Sequence, residues 1–124
     1  MEALEVPWRV VDVCAGDLGA PPVRKIDIET WMPSRGNYGE THSASAFHEF
    51  QARRLRLRYR DSGGKVRFCH TLNGTAVATP RSLLSVMECH QRPDGTIAIP
   101  AALRDSFAGR ALIEPARAPA PAHS

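Results

Sequence analysis

Several side chains of this chain can take part in binding or catalysis, but their types and spacing alone leave their roles open. Glu40 and Ser43 offer oxygen atoms that suit a hard cation, yet a carboxylate and a hydroxyl near a turn are more often solvated. Ser43 could equally cap the amides of a following helix. Arg81 lies at the start of a predicted helix, where the helix dipole disfavours a cation, so its position favours a functional reason. Asn73-Gly74 is typical of a turn.

Three further groups have both a functional and a structural interpretation. Asp27 and Glu29 share one face of a predicted strand and could form an acid–base pair, although no third residue supports this. The arginines of 54–60 could bind nucleic acid, but we interpret them as the solvated face of a strand whose Leu and Tyr residues face the core. The cysteines lack paired spacing, which favours reduced thiols over disulfides or zinc ligands: Cys14, Cys69 and Cys89.

Composition describes an ordinary globular domain. The chain has 124 residues, of which 43% are hydrophobic and 23% charged, enough for a single core. A net charge of +3 argues only weakly for a nucleic-acid partner. Residues 1–13 mix charged and apolar side chains unlike a signal peptide, and no run is long enough to span a membrane, so we expect a cytoplasmic protein.

The elements that must position these residues are mostly extended. Residues 8–14 form a short apolar run, which predicts a buried strand. Residues 24–31 alternate between apolar and charged side chains, the pattern of a strand, and another strand is expected to begin near Asn37. A third alternating run, 54–60, is followed by a four-residue turn, which predicts a hairpin with 66–72.

Two helices are predicted between and after these strands. The first covers 47–53, with Ser45 placed to cap it. The second follows Thr75 and can accept Pro80 only in its first turn. Its core face is predicted to consist of the larger apolar residues, Leu83, Leu84 and Met87.

The C-terminal part predicts a short strand at 96–99 and a helical piece at 100–107. Residues 115–124 are rich in Pro and Ala, which predicts a disordered tail. Antiparallel strands with helices packed on them make the expected fold class α+β, in one domain over residues 1–114.

Three segments, in this order and spacing, resemble the end of the catalytic domain of the seryl-tRNA synthetase family. They are ETHSASAFHEFQARR at 40–54, HTLNGTAVATPR at 70–81 and DGTIAIP at 94–100. The upstream segment 10–31 resembles the same family. The resemblance implies part of a class II aminoacyl-tRNA synthetase core, an antiparallel sheet flanked by helices.

The resemblance also implies roles for individual residues. Arg81 stands where the family's third class II motif has the arginine that binds the ATP phosphates, and a guanidinium suits that role. Glu40 and Ser43 match the family's magnesium-binding pair. Asn73 and Thr75 match the serine pocket, where an amide and a hydroxyl can recognise the substrate hydroxyl.

The chain departs from the family pattern in two ways: by substitutions near the metal-binding pair, and by the lack of several of the family's motifs. His42, Ala44 and Ala46 replace residues of the family pattern and are expected to crowd the metal site. Gly39 stands where the family commonly has a large basic residue. The family's first and second motifs, its recognition residue for the serine amino group and its tRNA-binding coiled coil would precede Met1. We therefore expect the isolated 124 residues to be inactive or very weak.

The expected function is that of a serine–tRNA ligase, which activates serine with ATP and Mg²⁺ and transfers it to tRNA, in a family of homodimers. One alternative is a truncated copy that acts as a non-catalytic binding or regulatory module through its basic strand face or an exposed sheet edge. Another is activation of an amino acid for a carrier protein, which in related enzymes depends on zinc-binding cysteines.

Overall fold

The computed structural model describes residues 1–116, and its centre is an antiparallel sheet of four strands in the order β1-β2-β3-β6. Two separate two-stranded ribbons, β4-β5 and β7-β8, and two α-helices complete this part of the chain. The strands are β1 Trp8–Asp12, β2 Arg24–Met32, β3 Asn37–Ala46, β4 Arg58–Arg60, β5 Val66–Phe68, β6 Leu72–Thr75, β7 Ile97–Ala98 and β8 Leu112–Ile113; the helices are α1 Phe50–Leu55 and α2 Thr79–His90. The α+β prediction is confirmed.

Strand β1 is an exposed edge strand, so the prediction of a buried strand was wrong. It pairs only with β2 among the described strands. Val10 keeps 58% of its surface exposed. An apolar run shows that a strand has hydrophobic side chains, but it does not show which element covers them.

Helix α2 packs on the sheet through small residues rather than through its leucines. Ser85 is fully buried and its Oγ donates to the carbonyl oxygen of Trp31 over 2.9 Å. Ser82 and Val86 are buried on the same side. The predicted core face is instead largely exposed to solvent: Leu83, Leu84 and Met87. Small side chains let the helix backbone approach β2 closely, and the serine hydroxyl is satisfied by the strand. Pro80 lies in the first turn of α2, as predicted.

The arginine-rich segment is not one strand. Helix α1 continues to Leu55, and Arg56 ends it in the left-handed conformation (φ 54°). Strand β4 contains only 58–60, so the predicted strand over 54–60 was wrong. The helix also begins three residues later than predicted and has no side-chain cap, so Ser45 does not cap it. The predicted hairpin survives as β4 and β5, whereas Leu72 belongs to β6 in the main sheet.

The C-terminal segment follows the prediction with shorter elements. The strand predicted at 96–99 is β7, which pairs with an unpredicted β8. The helical piece is a 3-10 helix over Ala101–Phe107. Residues 117–124, most of the predicted disordered tail, lie outside the described residues. Over the described range, no helix combines the length and apolar character needed to cross a lipid bilayer.

Candidate active site on the polar face of the sheet

A β-bulge in β3 brings Glu40 and Ser43 to the same face of the sheet. In a regular strand, residues three apart point to opposite faces. Here Ser43 pairs with Asp27 and Glu40 pairs with Glu29, so that β3 carries one extra residue, Thr41, within this stretch. Thr41 is fully buried, and its hydroxyl donates to the carbonyl oxygen of Ile28 over 3.2 Å. We call the face that carries Glu40, Ser43 and Asp27 the polar face.

Arg81 lies against this bulge. Its Nη1 donates to the carbonyl oxygen of Glu40 over 3.1 Å and to Glu40 Oε1 over 3.2 Å. The start of α2 is held there because the backbone N–H of Ala78 donates to the carbonyl oxygen of Thr41 over 2.9 Å. The carboxylate of Glu40 offsets the unfavourable position of a cation at a helix start. The structure therefore brings together the arginine and the glutamate that the sequence separates by 41 residues.

Lys25 and Asp27 extend this group, and Lys25 was missed as a site residue from the sequence. Lys25 Nζ lies 3.1 Å from Asp27 Oδ2 and 3.9 Å from Glu40 Oε2. The hydrogen bond with Asp27, reinforced by the charges of Asp27 and Glu40, raises the pKa of the Lys25 ammonium, with burial acting against the rise. The sequence signal was the alternation of 24–31, which places Lys25 and Asp27 on the same face, but spacing could not show that Glu40 joins them.

The acid–base pair that the sequence left open on β2 is not formed, because each of the two carboxylates has a different partner. Asp27 is paired with Lys25, and Glu29 Oε2 lies 2.6 Å from Arg9 Nε. Each carboxylate thus has its own cation. Asp27 is also 94% buried, and its Oδ1 has no hydrogen-bond partner among the described residues. A buried acceptor of this kind retains capacity for one further donor.

Asn73 and Thr75 lie on β6, beside Ser43 and Ser45. Thr75 pairs with Ser43 and Asn73 with Ser45, and directly opposite residues share a face, so both belong to the polar face. The turn interpretation of Asn73-Gly74 was wrong because both residues lie within the strand. A Cβ at Gly74 would lie 3.2 Å from the carbonyl oxygen of Ser43, so a glycine allows the two strands to approach closely.

Asn73 and Thr75 side chains are exposed and make no hydrogen bond with another residue in the described part of the chain. The hydroxyl of Ser43 likewise makes no hydrogen bond with another described residue. Three side chains with free donors and acceptors therefore lie on the face that also carries the Glu40–Arg81 pair.

The three substituted residues do not crowd the metal-binding pair, which corrects the expectation from the sequence. His42, Ala44 and Ala46 pair with Ile28, Ile26 and Arg24, and all of these belong to the opposite face. An apolar concavity of about 420 Å³ is lined by Ile26, Ile28 and Ala44 of that face, and Ser43 and Thr75 also border it. Gly39 is explained by packing, because a Cβ there would lie 2.8 Å from the buried Met32 side chain.

The cysteines are dispersed. Cys14 is exposed, and Cys69 and Cys89 are partly buried on other elements. Burial raises the pKa of the Cys89 thiol, and the Ser85 hydrogen bond partly offsets this. Within residues 1–116, no group of three or more His, Cys, Asp or Glu side chains is arranged to hold a metal ion.

Comparisons with known proteins agree on one family. Residues 1–90 match the model for the class II tRNA synthetase core domain (G, H, P, S and T). A serine–tRNA ligase from Rubrobacter xylanophilus is 55% identical over 114 residues, which cover 92% of this chain and 27% of that protein. The chain thus spans about a quarter of the length of such relatives.

Solved structures give the same result. Seryl-tRNA synthetase from Pyrococcus horikoshii, complexed with ATP, matches with a TM-score of 0.85 and 46% identity, over 94% of this chain and 26% of that one. The cytoplasmic serine–tRNA ligase of Naegleria fowleri, in complex with AMP, matches with a TM-score of 0.80 and 37% identity, over 91% and 26% of the two chains. This chain therefore belongs to the class II tRNA synthetase core family, and it is similar to about a quarter of a seryl-tRNA synthetase.

Proposed function

We propose that the polar face forms part of the active site of a serine–tRNA ligase. In that reaction the serine carboxylate attacks the α-phosphate of ATP and pyrophosphate leaves; a tRNA hydroxyl then takes the seryl group and AMP leaves. The observation that carries the proposal is the contact of Arg81 with Glu40 on the face that also holds Ser43, Asn73 and Thr75. The relatives with solved structures contain ATP or AMP, which supports a nucleotide ligand.

Arg81 is the proposed phosphate-binding residue. Its side chain is 56% exposed, and its contact with Glu40 uses one of several donors. The remaining N–H groups can bind phosphate oxygens and stabilise the charge that accumulates while pyrophosphate leaves. Lys25 contributes a second positive charge on the same face, held in place by Asp27.

Glu40 and Ser43 have the donor chemistry of a magnesium site. Both offer hard oxygen atoms, and the bulge places them on one face. Mg²⁺ in nucleotide sites is commonly held by one or two protein ligands together with phosphates, and it neutralises phosphate charge. In the free site the two carboxylate oxygens of Glu40 face Arg81 and Lys25, so these cations hold the carboxylate in position for ligand binding.

Asn73 and Thr75 are the proposed recognition residues for serine. An amide and a hydroxyl that are unused within the described chain can hydrogen-bond the substrate hydroxyl. An analogue without that hydroxyl would leave them unpaired, which is a strong basis for rejection. Binding of tRNA, a homodimeric assembly and a cytoplasmic location belong to the same proposal.

The test is a chimera in which these residues replace the matching quarter of the Rubrobacter xylanophilus ligase. We expect serine-dependent ATP–pyrophosphate exchange, reduced about 100-fold or more by Arg81→Ala. Arg92→Gln, an exposed change outside the polar face, is the matched control and should have no effect. An inactive chimera that folds and binds no ATP, or an Arg81→Ala chimera with full activity, would contradict the proposal.

A non-catalytic role for the free 124-residue chain is the second candidate. The apolar concavity beside Ile26 and Ile28 and the exposed edge strand β1 favour it. The carrier-protein alternative depends on zinc-binding cysteines, and the cysteines of this chain are dispersed, so no observation favours it.

A further inference from the structure

One charged region lies outside the polar face. We define the basic hairpin as residues 53–67, from the last turn of α1 through most of β5. It holds seven basic residues and a single carboxylate, whereas the whole chain has a net charge of only +3. The rest of the chain therefore has more acidic than basic residues, and the positive charge is concentrated in one segment.

The cations of the basic hairpin are exposed and mostly unpaired. Two of them have ion pairs, Arg53 with Glu49 and Arg67 with Asp61. The other five have no carboxylate within 4.0 Å in the described part of the chain: Arg54, Arg56, Arg58, Arg60 and Lys65. A folded protein gains no stability from like charges held close together, so this concentration needs another explanation.

Aromatic rings hold several of these guanidinium groups in place. Arg53 and Arg58 both lie on the ring of Phe68, at 4.7 and 4.8 Å from its centroid, and Arg54 lies 3.5 Å from the centroid of Phe50. A guanidinium stacked on a ring can still donate from its edge, as Arg54 does to the carbonyl oxygen of Phe50 over 3.0 Å. The side chains are therefore restrained before any partner binds, which lowers the entropic cost of binding.

The residues between the arginines are exposed as well. Leu57 and Tyr59 keep 47% and 49% of their surface accessible, and Leu55 keeps 74%. The sequence favoured a solvated strand on the premise that these residues face the core, and the structure removes that premise. Exposed aromatic and apolar side chains among cations are the composition of a nucleic-acid surface rather than of a solvated strand.

From these observations we propose that the basic hairpin binds the phosphate backbone of RNA without reading its sequence. Given the proposed ligase function, that RNA is the tRNA substrate, and the hairpin is a contact separate from the ATP site. Guanidinium groups on two short strands and a lysine in the turn between them suit phosphate oxygens, and the exposed Tyr59 can stack on a base.

The experiment measures binding of a fluorescent tRNA to the 124-residue chain by anisotropy over 50–200 mM salt. We expect Arg56→Gln/Arg58→Gln/Arg60→Gln to weaken binding at least tenfold at the lowest salt. It should also reduce the slope of log K against log salt by about 2 to 3, since three phosphate contacts are lost. The charge-preserving triple change of the same residues to Lys should retain the slope.

The matched control removes three exposed arginines elsewhere, Arg35, Arg92 and Arg110, and should leave affinity within about twofold. Equal losses in both triple variants would reduce the effect to net charge and overturn the proposal, as would failure of the unmodified chain to bind tRNA. The proposal would also be overturned if a protein ligand competed with RNA for the hairpin and the salt dependence of RNA binding did not change when the arginines were replaced. ATP–pyrophosphate exchange in the chimera separates the proposals, because hairpin variants should retain exchange while Arg81→Ala should retain RNA binding.

Discussion

The polar face and the basic hairpin both contain several charges, but they use them differently. On the polar face, cations and carboxylates alternate, from Asp27 through Lys25 and Glu40 to Arg81. In the basic hairpin, five cations lack such a partner among the described residues. Alternating partners fix side-chain geometry, as a site for chemistry requires. Unpaired cations provide attraction that salt screens, as a sequence-independent surface requires.

The largest effect should come from breaking the polar face at its arginine. Arg81→Lys in the chimera keeps the charge but loses the forked donors, so pyrophosphate exchange should fall about 10-fold or more, yet less than in Arg81→Ala. Steady-state rates at varied ATP measure the difference. Equal activity of the Lys variant and the parent would show that only charge matters at this position.

The position of α2 can be tested through its buried serine. Ser85→Leu inserts a large side chain where the helix approaches β2 closely, and it removes the hydrogen bond to Trp31. We expect a loss of about 1–3 kcal/mol in the free energy of unfolding, together with displacement of Arg81. Urea denaturation of the 124-residue chain measures the loss. Leu84→Ala, at a half-exposed position of the same helix, is the control and should cost clearly less.

Lys25 sharpens the comparison between the polar face and the basic hairpin, because its partner Asp27 is buried. Lys25→Met would leave Asp27 without its cation, and we expect a loss of about 1–2 kcal/mol in the free energy of unfolding. The raised pKa of Lys25 means that its contribution is present below its ordinary value of 10.5 and is lost as pH rises beyond the folded-state value. The difference between parent and variant should therefore shrink as pH rises beyond that folded-state value. A difference that persisted unchanged as pH rose past the folded-state value would contradict this assignment.

The smallest effect is expected in the turn of the basic hairpin. The hydrogen bond from Arg67, with the backbone N–H groups of Lys65 and Gly63, lowers the pKa of Asp61 below its ordinary 3.8. Its contribution is present above that value and is lost as pH falls through the folded-state pKa. Asp61→Asn should therefore lower the melting temperature slightly at neutral pH, and the difference should shrink as pH falls below 3.8. A pH-independent difference would indicate that Asp61 acts through its shape alone.

The sequence predicted local patterns well and their packing poorly. Alternation correctly located β2, and Pro80 correctly located the first turn of α2. The face of α2 that packs could not be predicted, because hydrophobicity favoured Leu83 whereas close approach favoured Ser85. Alternation predicted a single strand over 54–60, but the left-handed conformation of Arg56 divides this segment into the end of a helix and a short strand.

The candidate site was predicted largely through resemblance. Spacing alone would have placed Glu40 and Ser43 on opposite faces, and nothing in it connects either residue with Arg81. The bulge and the docking of α2 arise from tertiary contacts, which a local pattern does not record. Lys25 was visible only as one charged residue of an alternating strand.

The extra residue of β3 has a consequence for how the chain tolerates changes in length. A chain without Thr41 would place Glu40 and Ser43 two residues apart, so a regular strand would still present both on one face. It would lose the carbonyl oxygen that receives the N–H of Ala78, and with it the tether that holds the start of α2. Deletion of Thr41 should therefore keep Glu40 and Ser43 on one face but release Arg81. A change of one residue in chain length would thus separate the magnesium-binding pair from the phosphate-binding arginine.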